Sequence, residues 1–320
     1  MNTIIGSIWK KRATITTLGT VIVFVILFIA FSILSPAFLS FDNLIGTLRQ
    51  VAILAIVSLG LTFVIIAGQI DLSVGSIVGL SGIVCTMVIA RYHMPVGIGI
   101  VFAVVAGGIM GLLNGFLITV IRIPALIATL GTLTIFRGVT FIISGGEPIY
   151  ALPDSFLFLG RGYVESIPVP VLIMVLFVVL FFIIQKSTSF SVYMYAIGGN
   201  RIATRLSGIN DKRYINLIFI ISGLLTGFGG AMLASRLGSG LPTAGNGFEL
   251  TVVTAVLIGG TSINGGIGSI FGTLFGCLII GFLQNGLVLL NIHSYYQMVV
   301  NGLILLIAVG MDTVRQKERL

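Results

Sequence analysis

Ten apolar runs follow one another along the chain, and their number and length constrain the fold more than any other feature. A segment of about 20 apolar residues crosses the ~30 Å hydrocarbon core of a bilayer as a helix. The runs are residues 18–34, 51–67, 74–90, 96–121, 125–144, 169–184, 215–233, 250–260, 267–290 and 296–309. With 57% hydrophobic and only 8% charged residues, the composition is also that of an integral membrane protein. The sequence therefore predicts an all-α polytopic membrane protein.

The run 250–260 leaves the number of spans open between nine and ten, because so short a run is more typical of a re-entrant or core segment. If all ten runs cross, one side of the membrane carries most of the Lys and Arg residues. The parts on that side are the N-terminal stretch 1–17, the turn at Arg122, the loop 185–214 and the C-terminal tail 311–320. Cytoplasmic loops carry this excess of positive charge, so we predict about ten transmembrane helices with both termini in the cytoplasm.

Five runs precede and five follow the loop 145–168, which is rich in acidic residues and proline and is predicted to be an ordered external loop. An odd number of spans per half inverts the second copy of a duplicated transporter. The stretch 74–79 is also similar to the stretch 267–272, and each begins a run. The pattern predicts one transmembrane domain, residues 1–320, whose two five-helix halves are compatible with an inverted repeat.

The net charge of +8 does not indicate a nucleic-acid partner, because the basic residues stand at the ends of apolar runs, where they orient the spans. Cys85 and Cys277 lie inside apolar runs, which argues against a disulfide framework or a metal cluster. The chain also contains no His-Glu-x-x-His, Gly-x-Ser-x-Gly or phosphate-loop pattern. We therefore expect no catalytic residues, no metal and no bound cofactor in this chain, and any energy from nucleotide would come through a partner.

A polar, basic and glycine-rich stretch, residues 195–210, interrupts the loop 185–214. Between its glycines lie about two turns of potential helix, which Asn200 can cap and Gly208 can end. So short a helix is not stable alone. It must pack on the membrane face of this protein or on a partner.

Two faces can be read on this short helix. Arg201 and Arg205 form an i, i+4 pair on one face, while Ala203, Leu206 and Ile209 offer apolar contacts to a groove. A solvated linker is the alternative interpretation of the same stretch.

The junction between the second and third runs carries Gln69, Asp71, Ser73 and Gly75. A carboxylate within a membrane costs on the order of 3 kcal/mol, so Asp71 needs a partner or a role. It either caps the exposed amides of the third span at the membrane edge or takes part in a proton relay. A second glycine-rich stretch, residues 259–269, predicts a tight turn between closely packed spans.

Several polar residues within the runs would suit a path for an uncharged, hydroxyl-rich solute, and interhelical hydrogen bonds explain each of them equally well. These candidates are Thr62, Asn114, Thr129, Thr132 and Asn285. Arg137 is the lone charge inside a predicted run. It either faces protein or water, or extends to the external surface.

Taken together, the stretches 68–76, 195–209 and 259–266 resemble the permease subunits of bacterial ABC importers for ribose and related sugars. The resemblance extends in order from about residue 35 to residue 312, and the stretch 291–298 looks like the family's start of the last span. One departure is Gln69, where members of the family usually carry a second glycine.

The resemblance implies a multi-pass permease of the bacterial cytoplasmic (inner) membrane that works with a second permease, either a copy of itself or a paralogue. It also implies a cytoplasmic ATPase subunit, which binds ATP and Mg, and a periplasmic or extracellular sugar-binding protein. In that family a short cytoplasmic helix sits in a groove of the ATPase. The positions that match this coupling helix are Gly199, Asn200, Arg201, Ala203, Thr204, Arg205, Leu206, Ser207 and Gly208.

The function predicted from the sequence is therefore inward transport of a monosaccharide, a ribose-type pentose or a related sugar, by a subunit that is not itself an enzyme. A secondary transporter or facilitator for sugars is the alternative. A proton-coupled carrier ordinarily shows several paired ionisable residues at mid-membrane depth, and only Arg137 comes near that description.

Overall fold

The computed structural model describes residues 19–317, which form thirteen α-helices, one π-helical turn and one short β-hairpin. The helices are α1 (Gly19–Leu34), α2 (Phe41–Ile66), α3 (Val74–Ala90), α4 (Val96–Phe116), α5 (Ala125–Ser144), α6 (Asp154–Arg161), α7 (Val169–Ser187), α8 (Ser189–Gly199), α9 (Arg201–Leu206), α10 (Asp211–Leu237), α11 (Phe248–Ile258), α12 (Ile270–Leu289) and α13 (Ser294–Lys317). The π-helical turn Leu117–Ile121 continues α4. Strands β1 (Tyr163–Val164) and β2 (Ile167–Pro168) pair antiparallel.

Each predicted apolar run coincides with a helix. Seven helices among the described residues are long and apolar enough to cross a membrane, namely α2, α4 with its π-helical turn, α5, α7, α10, α12 and α13. Helices α1, α3 and α11 are apolar but shorter. The protein is thus an all-α polytopic membrane protein, as predicted. The N-terminal stretch 1–17 lies outside the described residues.

Helix α2 forms the centre of the fold because it is apolar on all sides, and residues 51–66 are all buried. Helices α7, α10, α11 and α12 pack around it. Helix α10 packs most extensively on α4, where glycines four residues apart on each helix allow a close approach. A β-carbon built on Gly107 of α4 would lie only 2.8 Å from the Cα atom of Gly227 on α10.

The helix ends gather into two opposite groups. We call one group the hairpin end, because it contains α6 and the β-hairpin of the loop 145–168. There the amide of Gly160 donates to Ser235 Oγ at 2.7 Å, and Arg49 Nη2 donates to the carbonyl of Arg161 at 2.7 Å. These bonds join α6 to the end of α10 and the start of α2, so the loop 145–168 is ordered against the helices. The other group, which contains α8 and α9, is called the α9 end.

The chain between α10 and α11 is not helical. Helix α10 ends at Leu237, and Gly238 follows in the left-handed region with φ 76°. Gly240 pairs with Ile149 through two backbone hydrogen bonds of 2.9 Å, and irregular turns lead to Gly247, which has φ 73°. The apolar run 250–260 is therefore short because the polypeptide before it is irregular, and α11 begins only at Phe248.

Candidate functional site

The predicted two-turn helix is present as α9. The side chain of Asn200 caps it by accepting the amide of Ala203 at 2.9 Å, and Gly208 follows its C-terminus with φ 84°. Both signals read from the sequence thus define the helix as expected. The helix spans six residues, Arg201–Leu206, and depends on contacts with the rest of the chain for its position.

Those contacts are ionic on one face. Arg201 Nε donates to Asp211 Oδ2 at 2.6 Å, and Arg205 donates through Nη2 to the same oxygen at 2.8 Å and through Nε to Oδ1 at 3.2 Å. The hydrogen bond to Asp211 raises the pKa of the Arg205 guanidinium above its ordinary value. Since Asp211 is the first residue of α10, the two arginines tie α9 to the start of a central helix.

A neighbouring face of α9 is apolar and uncovered within the described chain. Leu206 is 84% exposed and Ile202 is 75% exposed, and Ala203 is exposed as well. Ile209, which the sequence placed on this contact face, is only half-buried and contributes less than Ile202. The exposed apolar surface of α9 is therefore centred on Ile202 and Leu206.

A junction of glycines lies where α8 leads into α9. It is formed by Gly68 after α2, Gly198 and Gly199 at the end of α8, and Gly265 and Gly266 between α11 and α12. A β-carbon on Gly198 would collide with the carbonyl of Ile66 and lie 2.6 Å from the amide of Gly266. A β-carbon on Gly265 would lie 2.8 Å from the Cα atom of Gly68. We call these five residues the glycine junction.

Hydrogen bonds reinforce the glycine junction. The amide of Gly266 donates to the carbonyl of Ile66 at 2.8 Å, and Tyr195 donates its hydroxyl to the carbonyl of Gly268 at 2.7 Å. Burial raises the pKa of Tyr195 to about 12, so its hydroxyl keeps its proton at neutral pH. Gln185 at the end of α7 donates to this hydroxyl at 2.7 Å and accepts the amide of Ile270 at 3.1 Å. The segment preceding α9 is thereby fixed to three helix ends at once.

The three stretches that are distant in sequence and carried the resemblance thus meet at one place in the structure, at the base of α9. Comparison with known proteins agrees. Residues 43–309 match the family model described as "Branched-chain amino acid transport system / permease component". The chain belongs to this permease family.

Relatives with curated names cover nearly the whole permease. The ribose import permease protein of Bacillus subtilis is 46% identical over 92% of each chain, and that of Haemophilus influenzae is 42% identical over 91% of each chain. The L-arabinose ABC transporter permease protein of Azospirillum brasilense is 38% identical over 98% of this permease and 91% of its own length. No solved structure matches the chain.

The second predicted motif, at the start of α3, is also a connected site. Asp71 is 1% exposed, and its Oδ1 accepts the amide of Ser73 at 2.9 Å and the hydroxyl of Ser73 at 2.6 Å. The carboxylate thus caps the amide just before α3, while its Oδ2 is buried without a hydrogen-bond partner in the described chain. Gly75 lies one turn further, where the backbone of Gly245 and the carboxylate of Glu249 approach it too closely for any side chain.

Three of the candidate pathway residues join the Asp71 motif in one buried network. Asn114 donates to Ser73 Oγ at 2.8 Å, and Thr132 donates to Asn114 Oδ1 at 2.7 Å. Thr129 donates to the carbonyls of Ala125 at 2.8 Å and Ile70 at 3.3 Å. These polar groups join α3, α4 and α5, and in this conformation they are occupied by one another. A contact with solute stays a prediction for them.

The remaining two candidates lie apart from this network. Thr62 on α2 shares a 2.7 Å hydrogen bond with Thr273 on α12, and both are buried. Asn285 forms a reciprocal amide pair with Asn43 near the start of α2, with distances of 3.0 and 2.6 Å. The structure therefore does not bring all five candidates to one place.

Gln69 is half-buried and belongs to a third feature, a basic cavity of about 410 Å³ beside α9. Its lining includes Arg122 from the turn between α4 and α5, together with Arg201, Arg205 and Lys212. Cations predicted to share one side of the membrane are thus adjacent in space.

Two acidic residues that matter to these sites were missed in the sequence. Asp211 was not recognised as the partner of the two arginines, although it stands six residues after Arg205 and directly follows Asn210, whose side chain caps α10 by accepting the amide of Arg213 at 3.1 Å. Glu249 was not singled out, although it is a carboxylate at the edge of an unusually short apolar run. Within residues 19–317 no group of histidine, cysteine, aspartate and glutamate side chains is arranged to hold a metal ion.

Proposed function

We propose that this permease moves a monosaccharide, a ribose-type pentose or a related sugar, inward across the bacterial cytoplasmic membrane, driven by a separate ATPase subunit. The observation that carries the proposal is the similarity to two ribose import permeases over more than nine-tenths of each chain. The L-arabinose relative at 38% identity supports the wider class of pentoses.

The surface of α9 supports the separate ATPase. Its apolar face around Ile202 and Leu206 has no cover in the described chain, while its other face is held by Asp211. Helix-in-groove recognition uses apolar anchors of this kind at i and i+4. The ATPase would bind ATP and Mg, and its closure would act on α9 and through the glycine junction on α2, α8 and α12.

A topology of ten spans is part of the proposal. Helices α1, α3 and α11 would cross or nearly cross with the seven longer helices, and α6, α8 and α9 would not. Alternation of the helix ends between the hairpin end and the α9 end supports this count. The cluster of Arg122, Arg201, Arg205 and Lys212 supports a cytoplasmic α9 end.

Helix lengths support an inverted repeat between α1–α5 and the later set α7, α10, α11, α12 and α13. The second helix of each set, α2 or α10, is long and central, and the third, α3 or α11, is short. The sequence similarity between 74–79 and 267–272 does not follow this correspondence. It falls at the start of α3 and α12, which are the third and fourth members of their sets.

The proposed partners include a second permease, either a second copy or a paralogue, and an external sugar-binding protein that would meet the hairpin end. The ordered α6 and β-hairpin, with exposed Glu147 and Asp154, provide a structured surface there.

Reconstitution in proteoliposomes tests the function. The permease, its ATPase and its sugar-binding protein should together accumulate labelled D-ribose when ATP is supplied on the side of the ATPase, and omission of the ATPase should abolish accumulation. Uptake by the permease alone, or ATP hydrolysis by the purified chain, would contradict the proposal.

A further inference from the structure

The irregular segment 238–247 between α10 and α11 runs from the hairpin end, where Gly240 pairs with Ile149, to membrane depth. Arg137 on α5 donates from Nη1 to the carbonyls of Pro242 at 3.1 Å and Ala244 at 2.7 Å. Arg137 is twelve residues from Ala125, the first residue of α5, and seven from Ser144, its last residue. At ~1.5 Å per residue it is about 18 Å from one end of the helix and about 10 Å from the other. The carbonyls that it binds lie within the reach of an arginine side chain from this position.

Irregular backbone is tolerated inside a bilayer only where protein satisfies it or where it lines a water-filled cavity. Arg137 satisfies two carbonyls, and the backbone of Gly245 lies against Gly75 of α3, where a side chain on either glycine would collide with the other segment. One side of the segment is thus covered by α3 and α5. The other side is not covered by the described chain.

Polar side chains lie on that uncovered side. Thr243 and Asn246 are exposed, and the part of the chain that the structure describes offers their side chains no hydrogen bond. Glu249 follows in the first turn of α11 and is half-buried, with its carboxylate packed against Gly75 of α3. An amide and a hydroxyl facing acyl chains would be costly, so this side faces a polar cavity or another protein.

The same three groups suit a sugar. A sugar hydroxyl donates one hydrogen bond and accepts others; a carboxylate accepts, an amide does both, and so does a threonine hydroxyl. Transporters place their substrate sites near the bilayer midplane at interrupted helices, where backbone and side-chain groups converge. We propose that Thr243, Asn246 and Glu249 form a hydroxyl-binding site for the sugar on its way through the membrane, and that Arg137 positions the segment that carries them. This inference rests on the proposed function and adds the binding residues to it.

The test uses the complete importer in proteoliposomes, with D-ribose as the probe. The sugar-binding protein is loaded with ribose and is present at a saturating concentration. Two quantities are measured together, namely ribose accumulated and ATP hydrolysed. Asn246→Ala and Glu249→Gln should lower the ribose accumulated per ATP by about tenfold, because hydroxyl contacts are lost along the pathway while the α9 end is unchanged. Thr243→Ala, which removes no contact within the described chain, should give a smaller loss of the same kind.

The matched control is Asp42→Asn, which makes the same change from carboxylate to amide in the first turn of α2, at the hairpin end. It should transport like the wild type. Arg137→Lys tests the positioning role of Arg137. It should lower the maximal rate while the preference for ribose over 2-deoxyribose stays as in the wild type, whereas Asn246→Ala should change that preference.

Ribose transport per ATP at the control level in the Asn246 and Glu249 variants would overturn the inference and leave the proposed function intact. So would variants that lose the assembled complex while the remaining complex transports normally, because the three residues would then serve contact between permeases. A wild-type importer that does not accumulate ribose would overturn both the inference and the proposed function.

Discussion

The apolar face of α9 and the glycine junction beneath it are neighbours in the chain but are built in opposite ways. The face of α9 consists of exposed side chains, and α9 is held to its own protein by ion pairs to one carboxylate. The glycine junction has almost no side chains, and backbone approaches backbone directly. A surface that must recognise a partner needs projecting side chains, whereas a joint that transmits force needs stiffness and close packing.

The largest expected effect belongs to Gly198→Ala. The new β-carbon would meet the carbonyl of Ile66 and the amide of Gly266, and backbone atoms cannot rotate away as a flexible side chain can. Overpacking of this kind costs about 3 kcal/mol or more. We expect a lower midpoint of thermal unfolding in detergent and a loss of uptake.

Gly199→Ala is the matched control, since it makes the same change at the next residue of α8. A β-carbon on Gly199 has nothing within 4 Å, so the variant should unfold at the wild-type temperature. Equal thermal stability of the two alanine variants would show that the junction does not depend on the absence of side chains.

Asp211→Asn should have an intermediate effect, because it removes the charge that holds both arginines of α9. Arg201 and Arg205 have side chains that are 38% and 60% exposed, so water replaces much of the lost interaction. We expect a stability change of about 1 kcal/mol, measured by chemical unfolding. Uptake should fall several-fold, since α9 would no longer be fixed to α10. If the variant does not fold, the ion pairs are required for folding, as we expect for the close packing at the glycine junction.

Gln69→Gly should have the smallest effect. The Gln69 side chain is half-buried, and its one hydrogen bond within the described residues goes to the carbonyl of Gly68 at 2.9 Å, so the extra side chain is accommodated without displacing the turn. Glycine adds about 0.5–1 kcal/mol of backbone entropy cost at most. Uptake within twofold of the wild type is expected. A larger change would show that Gln69 itself acts in the basic cavity beside α9.

Much of the membrane architecture follows from the sequence because apolar periodicity and length are local properties. Every predicted run became a helix, and Asn200 and Gly208 delimit α9 as their cap chemistry predicts. The contacts among Gly68, Gly198 and Gly265 could not be predicted in the same way. A glycine indicates that space around the backbone is limited, but it does not indicate which segment approaches it.

Hydrogen-bond partners that are distant in the chain also could not be predicted from the sequence. Thr132 with Asn114 and Asn43 with Asn285 are pairs of side chains far apart in the chain, and either a solute pathway or an interhelical bond fits each residue taken alone. The role of Arg137 was equally open in the sequence. Its two carbonyl partners belong to the irregular segment before α11, whose only sign in the sequence was the shortness of the apolar run 250–260 that follows it.

The central claim is that the face of α9 around Leu206 docks into a separate ATPase, and site-directed cross-linking tests it most directly. The two native cysteines are buried, so a single introduced thiol can be labelled selectively with a photoreactive cross-linker. Leu206→Cys in the assembled importer should cross-link to the ATPase subunit. Val192→Cys, at an exposed position of the preceding helix α8, should not cross-link to the ATPase subunit. Cross-linking from position 192 but not from 206, or from neither in a complex that still accumulates ribose, would contradict the account.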